Sequence, residues 1–288
     1  EPYRRQRQMC IRDSSRASEI ESKSFSIYMN LGNAYAELGD FEHAMNNYTK
    51  ALELETNSAA LYNAIGLLYQ DNKDYLSANV YYDKALALDD KDPETFINKA
   101  SSQMAMHMYR EAIKSLKKAM ALDSQCLKAQ ICIANCYASL REFDNAEKAF
   151  NQCYKIDDRV YQVYVCHAIA YSDANRIDMA ISKYKEAISV GPQYPNAYIL
   201  LGNIYVDQRK YLEALDVYKK ASEIQPNDAK TYTFIGNTYF MLNDLENAIY
   251  TYRKALKNDD KSLENKLVYI EILQEYIKRK EIKEEASV

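Results

Sequence analysis

The chain repeats itself every 34 residues, and no other feature of the sequence restricts its possible folds as much. Gly32 and Gly66 lie 34 residues apart, Gly202 and Gly236 lie 34 apart, and 136 residues, four periods, separate Gly66 from Gly202. With this glycine numbered as position 8, seven windows follow one another without insertion: 25–58, 59–92, 93–126, 127–160, 161–194, 195–228 and 229–262. Position 20 is alanine in all seven (Ala44, Ala78, Ala112, Ala146, Ala180, Ala214, Ala248). Position 24 is always large and apolar (Tyr48, Tyr82, Leu116, Phe150, Tyr184, Tyr218, Tyr252), and position 27 is always small (Ala51, Ala85, Ala119, Cys153, Ala187, Ala221, Ala255). A fixed period of this length marks a stack of like units that bury their faces against one another.

The spacing predicts two antiparallel helices per window. Helices that cross closely need small residues at the contact and large ones beside it; positions 8 and 20 supply the former, and tyrosines at positions 4, 11 and 24 the latter, which accounts for many of the 27 tyrosines. Polar segments such as Leu38-Gly39-Asp40 and Leu242-Asn243-Asp244 provide turn and capping residues. Four of the five prolines, Pro93, Pro192, Pro195 and Pro226, fall at window junctions, where one helix stops and the next starts. Six glycines and five prolines are too few for the tight turns of an all-β fold, so the chain reads as all-α and, from its unbroken period, as a single body.

The pattern resembles the tetratricopeptide repeat (TPR), whose signature runs aromatic, two residues, Leu-Gly, two residues, Tyr, then Ala-x-x-x-aromatic and a final Pro. The sixth window reproduces it with Tyr198, Leu201-Gly202, Tyr205, Ala214, Tyr218 and Pro226. The resemblance covers residues 25–262 and implies a right-handed superhelical solenoid of seven helix-turn-helix repeats. The third repeat departs most, with Lys99 at position 7, Gln103 at position 11 and Met104, Met106 and Met108 around His107. Beyond Ser262, Leu263, Leu267, Ile270, Leu273 and Ile277 recur at helical spacing and predict an amphipathic helix within 263–288 that caps the last repeat. Residues 1–24 carry Arg4, Arg5, Arg7, Arg12 and Arg16 among Gln and Ser with no repeat anchors, and are expected to be disordered. Their stretch YRRQRQMCIRDS looks like translated library adaptor, so it receives no targeting role and the chain reads as a fragment.

A net charge of -4 gives no basic field for nucleic acid or anionic membrane, and no apolar run is long enough to span a bilayer, so an intracellular, cytoplasmic or nuclear, location is expected. No catalytic or cofactor-binding signature occurs: there is no Gly-x-Ser-x-Gly, His-Glu-x-x-His or phosphate loop, and His43, His107 and His167 lie in different repeats. Cys132 and Cys136, one helical turn apart, could chelate a metal with Cys166 and His167, but Cys-x-x-Cys spacing is lacking and buried cysteine commonly acts as a small hydrophobe. The chain is therefore expected to bind a protein or peptide rather than to catalyse a reaction.

In the resembling family the first helix of each repeat lines a concave groove, which places ligand contacts at positions 2, 5, 9 and 12. Position 9 is asparagine in Asn33, Asn135, Asn203 and Asn237, and asparagine offers donor and acceptor to an extended backbone. This row is similar to the asparagine ladder of the O-linked N-acetylglucosamine transferases. Asn30 and Asn98 at position 6 extend it, and such residues are expected to carry little packing. Ile97, Ile131, Val165 and Ile199 at position 5 predict an apolar stripe, and Asn63 and Lys128 complete the candidate set. Chaperone-tail-binding members carry a clamp of Lys and Asn at positions 5 and 9, Asn at position 6 of the next repeat, and Lys and Arg at positions 2 and 6 of the third. Here the first three repeats give Met29, Asn33, Ala64, Glu94 and Asn98, and a start at the second gives Asn63, Leu67, Asn98, Lys128 and Cys132, so an acidic chaperone tail is not the expected partner. Two other roles follow from the resemblance: the substrate-recruiting portion of a larger enzyme such as a glycosyltransferase, or a structural subunit of a large assembly of the anaphase-promoting or ciliary-transport type.

Overall fold

A computed structural model describes residues 24–259 and 262–285, with side chains through 280. The expectations for residues 1–23 lie outside this range. Fifteen helices are present among the described residues. The first four repeats contain α1 (Phe25–Glu37), α2 (Phe41–Leu54), α3 (Ala59–Asp71), α4 (Tyr75–Leu88), α5 (Pro93–Ala105), α6 (Tyr109–Leu122), α7 (Leu127–Ser139) and α8 (Phe143–Ile156). The last three contain α9 (Tyr161–Asp173), α10 (Ile177–Val190), α11 (Pro195–Asp207), α12 (Tyr211–Ile224), α13 (Ala229–Met241) and α14 (Leu245–Asn258), followed by α15 (Leu263–Glu285). Every first helix fills positions 1–13 of its window and every second helix positions 17–30.

The turn inside each repeat is built the same way seven times. Position 15 adopts the left-handed conformation at Gly39, Lys73, His107, Arg141, Asn175, Arg209 and Asn243. Only the first of these is glycine, the residue that enters this region at no steric cost. The next residue opens the second helix, and where it is aspartate its carboxylate caps the helix, as when Asp40 accepts from the His43 amide at 3.2 Å and Asp74 from the Ser77 amide at 3.1 Å.

Packing follows the predicted contrast of small and large sites. A Cβ placed on Gly32 would lie 2.3 Å from the Tyr48 ring, and one on Gly66 would lie 2.6 Å from that of Tyr82. The bare backbone at position 8 thus lets the position-24 ring lie across the first helix. All seven position-20 alanines are buried. The same rings reach the following repeat, so that Tyr48, Ala44 and Ala51 share a core with Leu61, Ile65 and Leu68. Lysines at position 26 cover the position-4 aromatics, with Lys50 over Tyr28 at 5.5 Å, Lys84 over Tyr62 at 5.7 Å, Lys118 over Phe96 at 5.5 Å and Lys254 over Tyr232 at 5.6 Å. In the deviant third repeat, polar pairs replace apolar contacts: buried Gln103 accepts from the Ser115 hydroxyl at 2.9 Å, and Lys99 pairs with Asp83.

Two expectations change. Although the unbroken period predicts a single body, the chain divides into two compact units, one ending at Ile156 and the other beginning at Asp157. The last helix packs on α14 as expected, but of the five residues predicted to pack only Leu273 joins the contact. Val268, Tyr269, Ile272, Leu273 and Tyr276 join the core with Ile249 and Tyr252, whereas Leu263, Leu267, Ile270 and Ile277 are exposed. The reason lies in the repeat geometry. α15 stacks as the first helix of a further window would, burying its equivalents of positions 3 and 10, Asn265 and Ile272, as α3 buries Leu61 and Leu68. The face predicted to pack includes Ile270 at position 8, where a second helix of its own repeat would lie.

Candidate functional site

In the first unit, α1 neighbours α3, α3 neighbours α5 and α5 neighbours α7, so the first helices present one row of side chains. Between α1 and α3 lies a cleft of about 390 Å³ whose lining includes Met29, Asn33, Glu37, Asn63, Leu67 and Asp71. The row continues through Asn98, whose amide donates to Asn63 Oδ1 at 3.3 Å, to Lys128, which pairs with Glu94 at 3.2 Å. Ile131 and Asn135 on α7 are half-buried.

The asparagines at position 9 are not only groove residues. The Tyr48 hydroxyl donates to Asn33 Oδ1 at 2.7 Å, the Tyr218 hydroxyl donates to Asn203 Oδ1 at 2.6 Å, and Tyr252 does the same to Asn237. Each bond joins the buried ring at position 24 to the first helix of its own repeat. Removing such an asparagine would strand a buried hydroxyl, so the expectation that this row carries little packing is corrected for Asn33, Asn203 and Asn237. In the second repeat position 9 is Leu67, and the Tyr82 hydroxyl turns instead to Gln70 at 3.1 Å. The pairing of asparagine with a tyrosine fifteen residues later was visible in the sequence as a co-occurrence in the first, sixth and seventh repeats.

The apolar stripe at position 5 is also corrected. Val165 and Ile97 are each 1% exposed, and Val165 belongs to the core with Ala168, Ala197 and Leu201; only Ile131 and Ile199 are half-buried. Position 5 thus lies at the border of the stacking face, buried in two of these repeats and half-buried in the other two.

Three family models match the sequence, one described as TPR repeat over 32–73 and 170–208, and two described as tetratricopeptide repeat over 193–261 and over 59–92 and 128–159. The chain is a tetratricopeptide repeat protein. No curated protein sequence matches it. Among solved structures this TPR chain is similar to yeast Tom70, with 19% identity and a TM-score of 0.73 over 97% of the chain, and it spans 60% of the Tom70 chain. It is also similar to a tetratricopeptide repeat protein from Parabacteroides merdae, at 19% identity and a TM-score of 0.64, covering 87% of this chain and 97% of that one. A third likeness is to YrrB, at 22% identity and a TM-score of 0.52, covering 64% of this chain and 95% of that one. At these identities the likeness is one of fold.

Titratable groups within the TPR core are pushed away from neutrality. Burial drives the Tyr48, Tyr82, Tyr184 and Tyr218 hydroxyls up, raises the Cys136 thiol to about 12 and pulls His167 down to about 3. Among the described residues no group of His, Cys, Asp and Glu is placed to hold a metal ion, and no helix is long and apolar enough to cross a membrane. His167 stands at position 7, where the other repeats have Leu31, Ile65, Lys99, Ile133, Leu201 and Ile235; it is 2% exposed and stacks on Tyr171 at 4.4 Å.

A histidine with a lowered folded pKa makes the unfolded chain bind protons that the folded chain refuses. Its contribution is therefore complete above pH 6.5 and declines as pH falls towards 3, by about 2 kcal/mol at pH 5. His167→Leu should remove that decline. Urea unfolding at pH 7 and pH 5 is expected to show wild type losing about 2 kcal/mol more than the variant on acidification, and parallel losses would refute the assignment.

Proposed function

We propose that this TPR chain is a protein-interaction module that holds an extended or helical segment of a partner along its first helices. The observation that carries the reading is the tethered asparagine at position 9, which occurs in each unit. With its carbonyl oxygen taken by a core tyrosine, each of Asn33, Asn203 and Asn237 is held in one orientation, and its amide is left as the group that can donate to a ligand backbone. Held donors lose little side-chain entropy on binding. The cleft beside Asn33 adds the apolar walls of Met29 and Leu67 for partner side chains. The fold likeness to YrrB, described as a TPR protein with an unusual peptide-binding site, supports a peptide as the class of ligand.

The histidine and the cysteine buried in the core do not suit acid–base catalysis, since general acids and bases work best with pKa values near the operating pH. His167 at about 3 and Cys136 at about 12 lie far from it. The test is capture of partners by the full chain, compared with Ala60→Trp in the first unit and Asn196→Trp in the second. Both positions are exposed at position 2 of a first helix, so a bulky ring there obstructs the groove without disturbing the core. Partners lost from either variant support the groove reading. A partner set unchanged in both would place the contact elsewhere on the chain.

A further inference from the structure

We infer that the cleft between α6 and α8, in the fourth repeat, holds an acidic segment of a partner protein that carries one aromatic side chain between its carboxylates. This is a different surface from the first-helix row and stands independently of it.

The fourth repeat lacks a stack of side chains that its relatives have. Position 4 is aromatic in six repeats and Gln130 in the fourth. In the second repeat, positions 4, 23 and 26 pack together: the Tyr62 and Tyr81 ring centroids lie 6.3 Å apart, and Lys84 lies 5.7 Å over the first ring and 4.6 Å over the second. The fourth repeat has Gln130, Ala149 and Gln152 at these positions, and all three line a cleft of about 340 Å³. Gln130 is buried, and its amide is committed to the Ala149 carbonyl at 3.1 Å. Met120, Ile133 and Tyr137 form the other walls, which are largely apolar. A phenylalanine or tyrosine from a partner would supply from outside the ring that the other repeats supply from within, burying about 150–250 Å².

The charge around this slot has one sign. Lys117 and Lys148 line it, and the described residues of its lining include no aspartate or glutamate. An adjoining cleft of about 200 Å³ shares Met120, Gln130 and Gln152, adds Lys155, and again has no carboxylate among its described residues. All three lysines are exposed. Glu142, which accepts from Asn145 at the rim, is paired with Arg110 at 2.8 Å. Asp144 and Glu147 also stand on α8, but neither lines the slot. The corresponding cleft between α4 and α6 is lined by Asp83, Asp90 and Glu111 as well as by Lys99, Lys114 and Lys118, so there the charges balance. In a chain of net charge -4, a concave surface lined by lysine alone favours an acidic partner.

The spacing sets the order of the ligand residues. Lys148 and Lys155 are about two helical turns apart, roughly 10.5 Å at 1.5 Å per residue, close to three residues of extended chain at about 3.3 Å each. Ala149 and Gln152, which border the slot, lie between them. The matching segment therefore has two carboxylates three positions apart with an aromatic residue between.

The test uses the full chain and a peptide capped at both ends, Ser-Gly-Glu-Phe-Ala-Glu-Gly-Ser, titrated calorimetrically. It should bind at least about tenfold more tightly than peptides with lysine for glutamate or alanine for phenylalanine, and its affinity should fall as salt rises. Gln130→Tyr places in the slot the residue that five other repeats carry, and should weaken binding at least about tenfold with the melting temperature level or raised. Lys148→Gln/Lys155→Gln changes only exposed side chains and should abolish the preference for the acidic peptide, which decides the matter should the tyrosine variant fold poorly. Ala60→Trp, in the first-helix row, should bind the peptide as wild type does. Equal affinity for the acidic and basic peptides, or no binding of either, would overturn the inference. Full binding by a folded Gln130→Tyr chain, a preference kept by the lysine variant, or binding lost in Ala60→Trp would overturn the location. Tighter binding of a short oligothymidylate than of the peptide would assign the lysines to phosphates and overturn the protein partner.

Discussion

Truncation of Tyr218 to alanine is expected to lower the stability of the second unit by about 3–5 kcal/mol. The ring is 2% exposed, lies on Gly202 of its own repeat and stacks on Phe234 of the next with centroids 5.6 Å apart, while its hydroxyl holds Asn203. One side chain thus joins α11, α12 and α13. In a stack of repeats each unit is stabilised by its neighbours alone, so the damage should be local. Hydrogen exchange under mild urea is expected to show α11–α14 losing protection before any helix of the first unit. Tyr218→Phe keeps the packing and should cost only about 1 kcal/mol for the lost hydroxyl bond. Comparable losses from both variants would mean that the hydrogen bond, not the ring, holds the repeat together.

The second large effect reverses an ordinary rule. Glycine inside a helix normally destabilises it by about 0.5–1 kcal/mol relative to alanine, so its replacement should help. Gly202→Val is instead expected to cost about 3 kcal/mol, because an added Cβ would sit 2.4 Å from the Tyr218 ring and the branched side chain has no room to turn away. Other repeats show how the conflict is relieved. Ala100 is matched with Leu116 and Ala134 with Phe150, and Ala168 lies in one core with Tyr184, so a single methyl fits where the helices are set for it. Gly202→Ala should therefore cost less than the valine change, and combining it with Tyr218→Leu should cost less than the sum of the two single changes. A double-mutant cycle by urea unfolding measures this coupling, and strict additivity would show that positions 8 and 24 do not meet.

Much of the fold was legible from residue types alone. Gly32 and Tyr48, or Gly202 and Tyr218, announce a helix pair because a bare backbone and a large ring recur at one spacing, and the helices begin and end where Pro93, Pro195 and the Asp40-type caps place them. The candidate groove was legible in outline, since the helical period decides which residues share a first-helix face. The rest depended on neighbours. Val165 and Ile131 share position 5, yet one is in the core and the other half-buried. Leu267 and Ile272 lie on one amphipathic helix, and stacking on α14, not apolar spacing, chose between them. Asn33 reads from the sequence as a groove residue alone, and only the structure shows that the Tyr48 hydroxyl holds it as well.

The sequence by itself determined the period, the helix pairs, the small and large contact sites and the all-α class, because these follow from local sterics repeated seven times. Only the tertiary structure decided which polar groups the core consumes, which apolar face of α15 is covered, where the chain divides, and that Glu37 and Asp71 meet at one cleft. Those outcomes depend on side chains fifteen or more residues apart being brought within a few ångströms, and helical periodicity carries no record of such distances.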